Sequence, residues 1–410
     1  MAKWIKGSDH KTILERLERI KTIQPDGRPS FHMFEHREIT SILTSMLILH
    51  LEIPADEYSS LIDRASFSAA LKGIITEDSI LSELKIQEAS YLQQKIQKYR
   101  LITDISLVLA PNPIIFKLKN SRVTIGKKLS RKTAKIRSEI LENSHDSIVG
   151  KFPNRYTNVV VSVSGRTPME SATKALNDLD LLRGILNLWI NSGTLTRISD
   201  GKNSPVNAII LGPVHTLHRP NGEAASDSWW YEPGYRGPVE VWKKASDIQK
   251  MLTFFKAYRR NLAKLQYREL IISAIIQYTR ALDSRDWNYS FLQLWSILEK
   301  LTGTADHDEV IARTAFVFTD WSYELLKLKH LRHSRNKAIH EGSEIPSPDV
   351  EVQMYQLKQS VETLLLFHVN RFRKFQSIKH AADFLSSPRD PKIIQEQLKK
   401  LDAVRRFLEK

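Results

Sequence analysis

The stretch with the clearest chemical content runs from Leu328 to Gly342, LKHLRHSRNKAIHEG. It holds Arg335, Asn336 and His340 in the pattern Arg-Asn-x-x-x-His. Histidine can give or take a proton near neutrality. A guanidinium can grip a phosphate through two hydrogen bonds and stabilise charge developing on it. The set suits metal-independent cleavage of RNA, in which a ribose 2′-hydroxyl attacks the neighbouring phosphate. One group must take the hydroxyl proton, and one must protonate the leaving 5′-oxygen. Asn336 could orient His340 or contact the phosphate.

Positioning these groups requires a helix. At about 100° per residue, Leu325, Leu328, Leu331, Ala338 and Ile339 gather on one apolar stripe. Arg335 projects from the middle of it. A guanidinium there is costly to bury unless it is paired or faces a partner surface. Asn336 and His340 are four apart and stack on one edge of the stripe. Arg335 and His340 diverge by roughly 140°, so only a long side chain such as Arg brings both groups to one phosphate. Gly342 is placed to end the helix, and Pro346 and Pro348 to keep it ended. The plainer reading is a helix C-terminus whose Arg and His complement the dipole. Arg335 inside the apolar stripe argues against it.

An Arg-Asn-three residues-His pattern closing a helix resembles the HEPN superfamily of helical ribonucleases and nucleotide-binding domains. The preceding segment Phe291–Gly303, FLQLWSILEKLTG, looks like the aromatic, Leu-rich helix before the motif helix of Apea-like HEPN domains. The resemblance covers about the last third of the chain. It implies an endoribonuclease with His340 in acid/base work, Arg335 in phosphate stabilisation and Asn336 in support. The products would carry 2′,3′-cyclic phosphate and 5′-hydroxyl ends. It also implies a homodimer, because HEPN ribonucleases place two motifs across a helix-bundle dimer and this chain shows one. Glu299, at the margin of the preceding helix, could pair with Arg335 or assist. His333 and Lys337 read as groove-lining cations. Apea-like HEPN proteins are associated with bacterial anti-phage defence, where RNA cleavage by a toxin-like effector halts translation. The rival readings are a HEPN-like protein that binds RNA or nucleotide without cutting, and a scaffold whose bundle only dimerises.

The chain has 410 residues, enough for two or three domains. A net charge of 61 − 46 = +15 favours a polyanionic partner such as RNA. The absence of cysteine excludes disulfides, thiolate zinc sites and cysteine nucleophiles. No apolar run is long enough to span a membrane, and the N-terminus lacks a signal-peptide core, so a cytoplasmic protein with no membrane partner is expected.

The expected fold class is α+β, a mixed α/β N-terminal region followed by an all-α bundle. Residues 1–102 read as helical, with helices at Ile39–Leu51, Leu61–Ile75 and Ile80–Ile102 around a turn at Gln24–Pro29. Residues 103–245 read as mixed α/β, a candidate sensor or regulatory region for a partner or trigger. Strands are expected at Asp104–Leu109, Ile114–Lys119, Val159–Val163 and Val206–Leu211. A helix capped by Thr167, with Pro168 at its first position, stands between the last two. Residues 246–410 read as the bundle.

Lesser sites complete the reading. Lys127, Lys128, Arg131, Lys132, Lys135 and Arg137 would make a cationic helix face able to contact RNA phosphates. Trp229, Trp230 and Tyr231 stack on bases or plug their own loop. His32-x-x-Glu35-His36 matches a short zinc-protease pattern without a third ligand, and His215 with His218 is a weak pair. No metal and no cofactor is expected.

Overall fold

The computed structural model describes residues 2–108, 113–142, 155–192, 204–235, 237–242, 245–340, 347–371 and 374–409. The first 93 residues form a unit with its own core. Helices α1 (His10–Arg19), α2 (Met33–Met46), α3 (Ala55–Lys72) and α4 (Glu77–Gln93) surround Leu17, Leu43, Leu61, Ile62, Ile80 and Leu84, all fully buried. Two strand pairs brace it, β1 (Lys3–Trp4) with β4 (Leu47–Ile48) and β2 (Lys21–Ile23) with β3 (Pro29–Phe31). The expected turn at Gln24–Pro29 joins β2 to β3, with Gly27 at φ +80° where a Cβ would be strained. The helix expected through Ile102 stops at Gln93. Residues beyond it are drawn into the sheet instead.

That sheet is antiparallel throughout. It comprises β5 (Gln97–Ile105), β6 (Ile114–Lys117), β7 (Ser121–Ile125), β8 (Thr157–Gly165), β9 (Val214–His218) and β10 (Trp230–Tyr231). The spatial order is β10-β9-β5-β8-β7-β6. β5 pairs with β8 along its whole length, from Gln97↔Gly165 to Ile105↔Thr157. Tyr99, Leu101 and Ile105 alternate to one face with Val159, Val161 and Val163. That face packs on helix α6 (Pro168–Asn191), whose first turn is capped by Thr167 as expected. Helix α5 (Arg131–Glu142) covers part of the other face. Val206–Leu211 is not a strand: Leu211 makes one isolated bridge to Ile105. The rest of that segment is held partly by backbone bonds, Val206 N and Asn207 N donating to Leu282 O and Ser106 N to Ile210 O, and partly by Asn187, whose Oδ1 accepts from Ile209 N and whose Nδ2 donates to Ile209 O.

The bundle comprises α7 (Ala245–Ala263), α8 (Arg268–Asp283), α9 (Trp287–Thr302), α10 (His307–Phe316), α11 (Trp321–His340), α12 (Ser347–Asn370) and α13 (Ile378–Leu385), followed by α14 (Pro391–Leu408), which buries none of its residues. α9 lies at its centre between α8 and α12. The architecture is α+β with a helical C-terminal region. Two expected boundaries need correction. Position 102 falls inside β5, because the strand must run on to complete its ladder with β8. The sheet and the bundle share one hydrophobic core, running through Val161, Leu182, Ile275, Leu294 and Leu364. Among the described residues no helix is long and apolar enough to cross a membrane.

His368 locks the bundle. Its ring is fully buried, with Nε2 2.9 Å from Leu301 O and Nδ1 2.9 Å from Tyr267 Oη. The neutral ring satisfies both contacts: Nε2–H donates and Nδ1 accepts. Burial pushes its pKa down to about 4, against the Leu301 hydrogen bond. The unfolded chain therefore binds the proton first as pH falls. Stability from this group is complete above about pH 6.5 and is lost as pH drops toward 4. We expect about 2 kcal/mol less stability at pH 5 than at pH 7 from this group, read from urea midpoints. His368→Gln should flatten that part of the profile.

Candidate active site at the end of a bundle helix

Asp320 stands just before helix α11, and its Oδ1 accepts from Tyr323 N at 3.3 Å. Its buried stripe is the one the spacing requires: Leu328 and Leu331 are fully buried and Leu325 is packed against the core. Hydrophobic burial alone does not orient it. Arg332 Nη1 reaches Asp308 Oδ1 on α10 at 2.5 Å, and His330 Nε2 lies 3.5 Å from Gln353 Nε2 on α12. Glu324 and Lys327 form a buried ion pair at 2.5 Å one turn into the helix. The contacts to α10 and α12 fix the rotation of α11 about its axis, and hence the side on which its last turn presents Arg335.

Arg335 is half-buried, one turn beyond Leu331. Its Nη1 donates to Asn336 Oδ1 at 3.3 Å. Among the described residues it forms no ion pair. Asn336 is half-buried beside it, and His333 and Lys337 are exposed. His340 is the last residue of the helix. Its side chain, with those of Ala338 and Ile339, lies outside the described residues, as does Gly342. Pro348 does not merely keep α11 ended. It stands in the first turn of α12, where the missing N–H costs nothing.

Glu299 does not pair with Arg335. Its Oε1 lies 3.8 Å from Nε2 of His307, the first residue of α10. The cationic face expected around α5 is partly neutralised. Lys127, Lys128 and Arg131 are exposed, Lys132 pairs with Glu223 at 2.8 Å, and Lys135 lies 3.8 Å from Glu139. Arg137 is not part of that face. It is buried under the sheet, donating to Asp104 Oδ2 at 2.7 Å and to Ile102 O and Thr216 Oγ1 at 2.9 Å each.

The other candidates are absorbed structurally. Glu35 pairs with Arg16, while His36 is buried and stacked on Phe31. His215 contacts Thr103 Oγ1 at 2.7 Å and Glu232 Oε1 at 2.9 Å, whereas His218 contacts Thr216 Oγ1 at 2.9 Å. Three apart on a strand, the two rings face opposite sides. Trp230 and Tyr231 form the edge strand β10. Trp230 is packed against the core, and Tyr231 remains exposed.

The motif reading overlooked a second polar constellation, where the sheet meets the bundle. Arg183 on α6 is fully buried and joins Asp180 at 2.6 Å to Asp283 at 2.9 Å. Arg280 holds the other oxygen of Asp180 at 2.9 Å. These residues border a cleft that also exposes Glu232, Arg285 and Tyr235. No short motif announces it, since Asp180 and Asp283 are about a hundred residues apart. No family model, curated protein or solved structure matches this chain.

Proposed function

We propose that this protein is a metal-independent endoribonuclease of the HEPN type, acting as a toxin-like effector in anti-phage defence. The observation that supports this reading is the state of Arg335. A guanidinium held half-buried at a helix end, beside Asn336 and with no carboxylate partner among the described residues, supports a role in gripping an external anion. A phosphodiester supplies one with matching bidentate geometry. His340, ending the same helix, is the proton carrier in this proposal. Two copies of the chain would bring two such helix ends to one RNA. His333 and Lys337, both exposed, would line the groove.

The test is incubation of total RNA and tRNA with wild type and His340→Ala in excess EDTA. Wild type is expected to cleave. His340→Ala should lose at least about 10²-fold in rate, the scale of a general acid or base. Equal cleavage by both proteins would remove His340 from the chemistry.

A further inference from the structure

Among the described residues, the sheet face opposite α6 is covered at one end only. Ile102 and Val160 are buried there under α5, with Arg137 reaching Ile102 O. The other end of that face is open and entirely basic or neutral. Strand register makes it one row: Lys117 on β6 stands opposite Arg122 on β7, Arg122 opposite Ser162 on β8, and Ser162 opposite Arg100 on β5. Lys98 sits two residues before Arg100, opposite Ser164. The row floors a cavity of about 550 Å³. The cavity shares Lys117 and Arg122 with a second hollow, which passes round the β6 edge onto α7 at Lys256. Arg260 continues it one turn further along α7.

The charge balance of this trough is one-sided. No carboxylate lines it among the described residues. Lys98, Lys117, Arg122, Lys256 and Arg260 make no ion pair among the described residues, and all five are exposed. Lys119 alone is neutralised at the margin, by Glu269 at 3.0 Å. Like charges directly opposite each other on paired strands are destabilising, and Lys117 faces Arg122 in that way. A fold keeps such a row at a cost that an anion spanning the strands would relieve. The basic row crosses four strands and continues round the sheet edge to a helix, so it suits an elongated polyanion. The hollow at the β6 edge also holds Ile114, Ile115 and Leu252, but only Ile115 among them is exposed, far short of the broad apolar face with which an interfacial helix enters a membrane.

We propose that this trough binds the phosphodiester backbone of a nucleic acid, at a surface distinct from the end of α11. Lysines, arginines and the Ser162 and Ser164 hydroxyls contact phosphate and sugar without reading bases. The inference does not require strand cleavage. RNA is the source favoured by the proposed function, and DNA shares the chemistry.

The test uses full-length protein carrying His340→Ala, so that binding is measured without scission. Fluorescence anisotropy with single-stranded RNA and DNA of one sequence is followed across salt concentrations. Arg122→Glu/Lys117→Glu should weaken binding about tenfold or more and lower the salt slope by about 1.4, from two phosphate contacts on a single strand. The pair Lys256→Glu/Arg260→Glu on α7 should do the same, guarding against a local folding defect in the sheet. Equal loss for RNA and DNA identifies the backbone as the ligand, and loss for RNA alone identifies RNA. Unchanged affinity and slope in both double variants would overturn the proposal. So would intact RNA binding with lost binding to anionic lipid vesicles. Cleavage by the corresponding variants with His340 restored is scored separately, so failure here leaves the active-site reading to its own test.

Discussion

Arg335→Ala is expected to lower the rate of RNA cleavage by about 10²–10³-fold, equivalent to roughly 3–4 kcal/mol of lost transition-state stabilisation. The guanidinium is expected to act most strongly when negative charge builds on the phosphate, so kcat should fall more than KM rises. Stability should change little, within about 0.5 kcal/mol, because Arg335 is half-buried and its contact among the described residues is one 3.3 Å bond to its neighbour Asn336. Arg335→Lys should recover only part of the rate, since an ammonium keeps the charge but loses the planar fork. Stopped-flow or gel-based single-turnover cleavage gives the rate, and a urea titration gives the stability. A variant that cleaves at the wild-type rate would assign Arg335 to dimer contacts or helix-end electrostatics.

Arg183→Ala is expected to destabilise the fold by about 3–5 kcal/mol, the scale of a broken buried ion pair. The side chain is 1% exposed and donates to Asp180, to both oxygens of Asp283 and to Ile209 O. It therefore joins α6, α8 and the irregular 206–211 segment at one point. Burial raises the pKa of Asp283 even against the pull of Arg183. Removal of the guanidinium leaves that carboxyl with Asn207 as its remaining donor, at 2.8 Å. The contrasting double variant Arg183→Met/Asp283→Leu should cost clearly less than the two single changes added, because no unpaired charge is left buried. Additive losses, measured as urea unfolding free energies, would mean that the two residues are not coupled.

How far the sequence was legible depends on the range of the forces involved. Helix α6 is local: Thr167 caps it, Pro168 opens it, and its apolar spacing continues to Leu188, so it could be read directly. Leu328 and Leu331 on α11 are likewise visible as a 3.6-residue stripe. Residues 97–102 were not, because Gln97 to Ile105 becomes a strand through its ladder with residues 157–165, some sixty positions away. Val206–Leu211 misled for the opposite reason. Its β-branched apolar residues are buried, but Asn187, Arg183 and scattered backbone bonds to Leu282 and Ser106 satisfy its backbone in place of a continuous neighbouring strand. Charge was harder to place than hydrophobicity. A run such as Lys127–Arg137 is conspicuous in the chain, yet Arg137 turns inward and Lys132 is paired. The exposed cations of that sheet face, without ion pairs among the described residues, come from β5, β6 and β7, and only strand register gathers them.

The chemical identity of the RNA ends produced in excess EDTA tests the central claim most directly. The account predicts 2′,3′-cyclic phosphate and 5′-hydroxyl ends from wild type, and none of them from His340→Ala. Fragments ending in 3′-hydroxyl and 5′-phosphate, or cleavage that EDTA abolishes, would contradict it, because attack by the ribose 2′-hydroxyl leaves neither those ends nor any need for a metal ion.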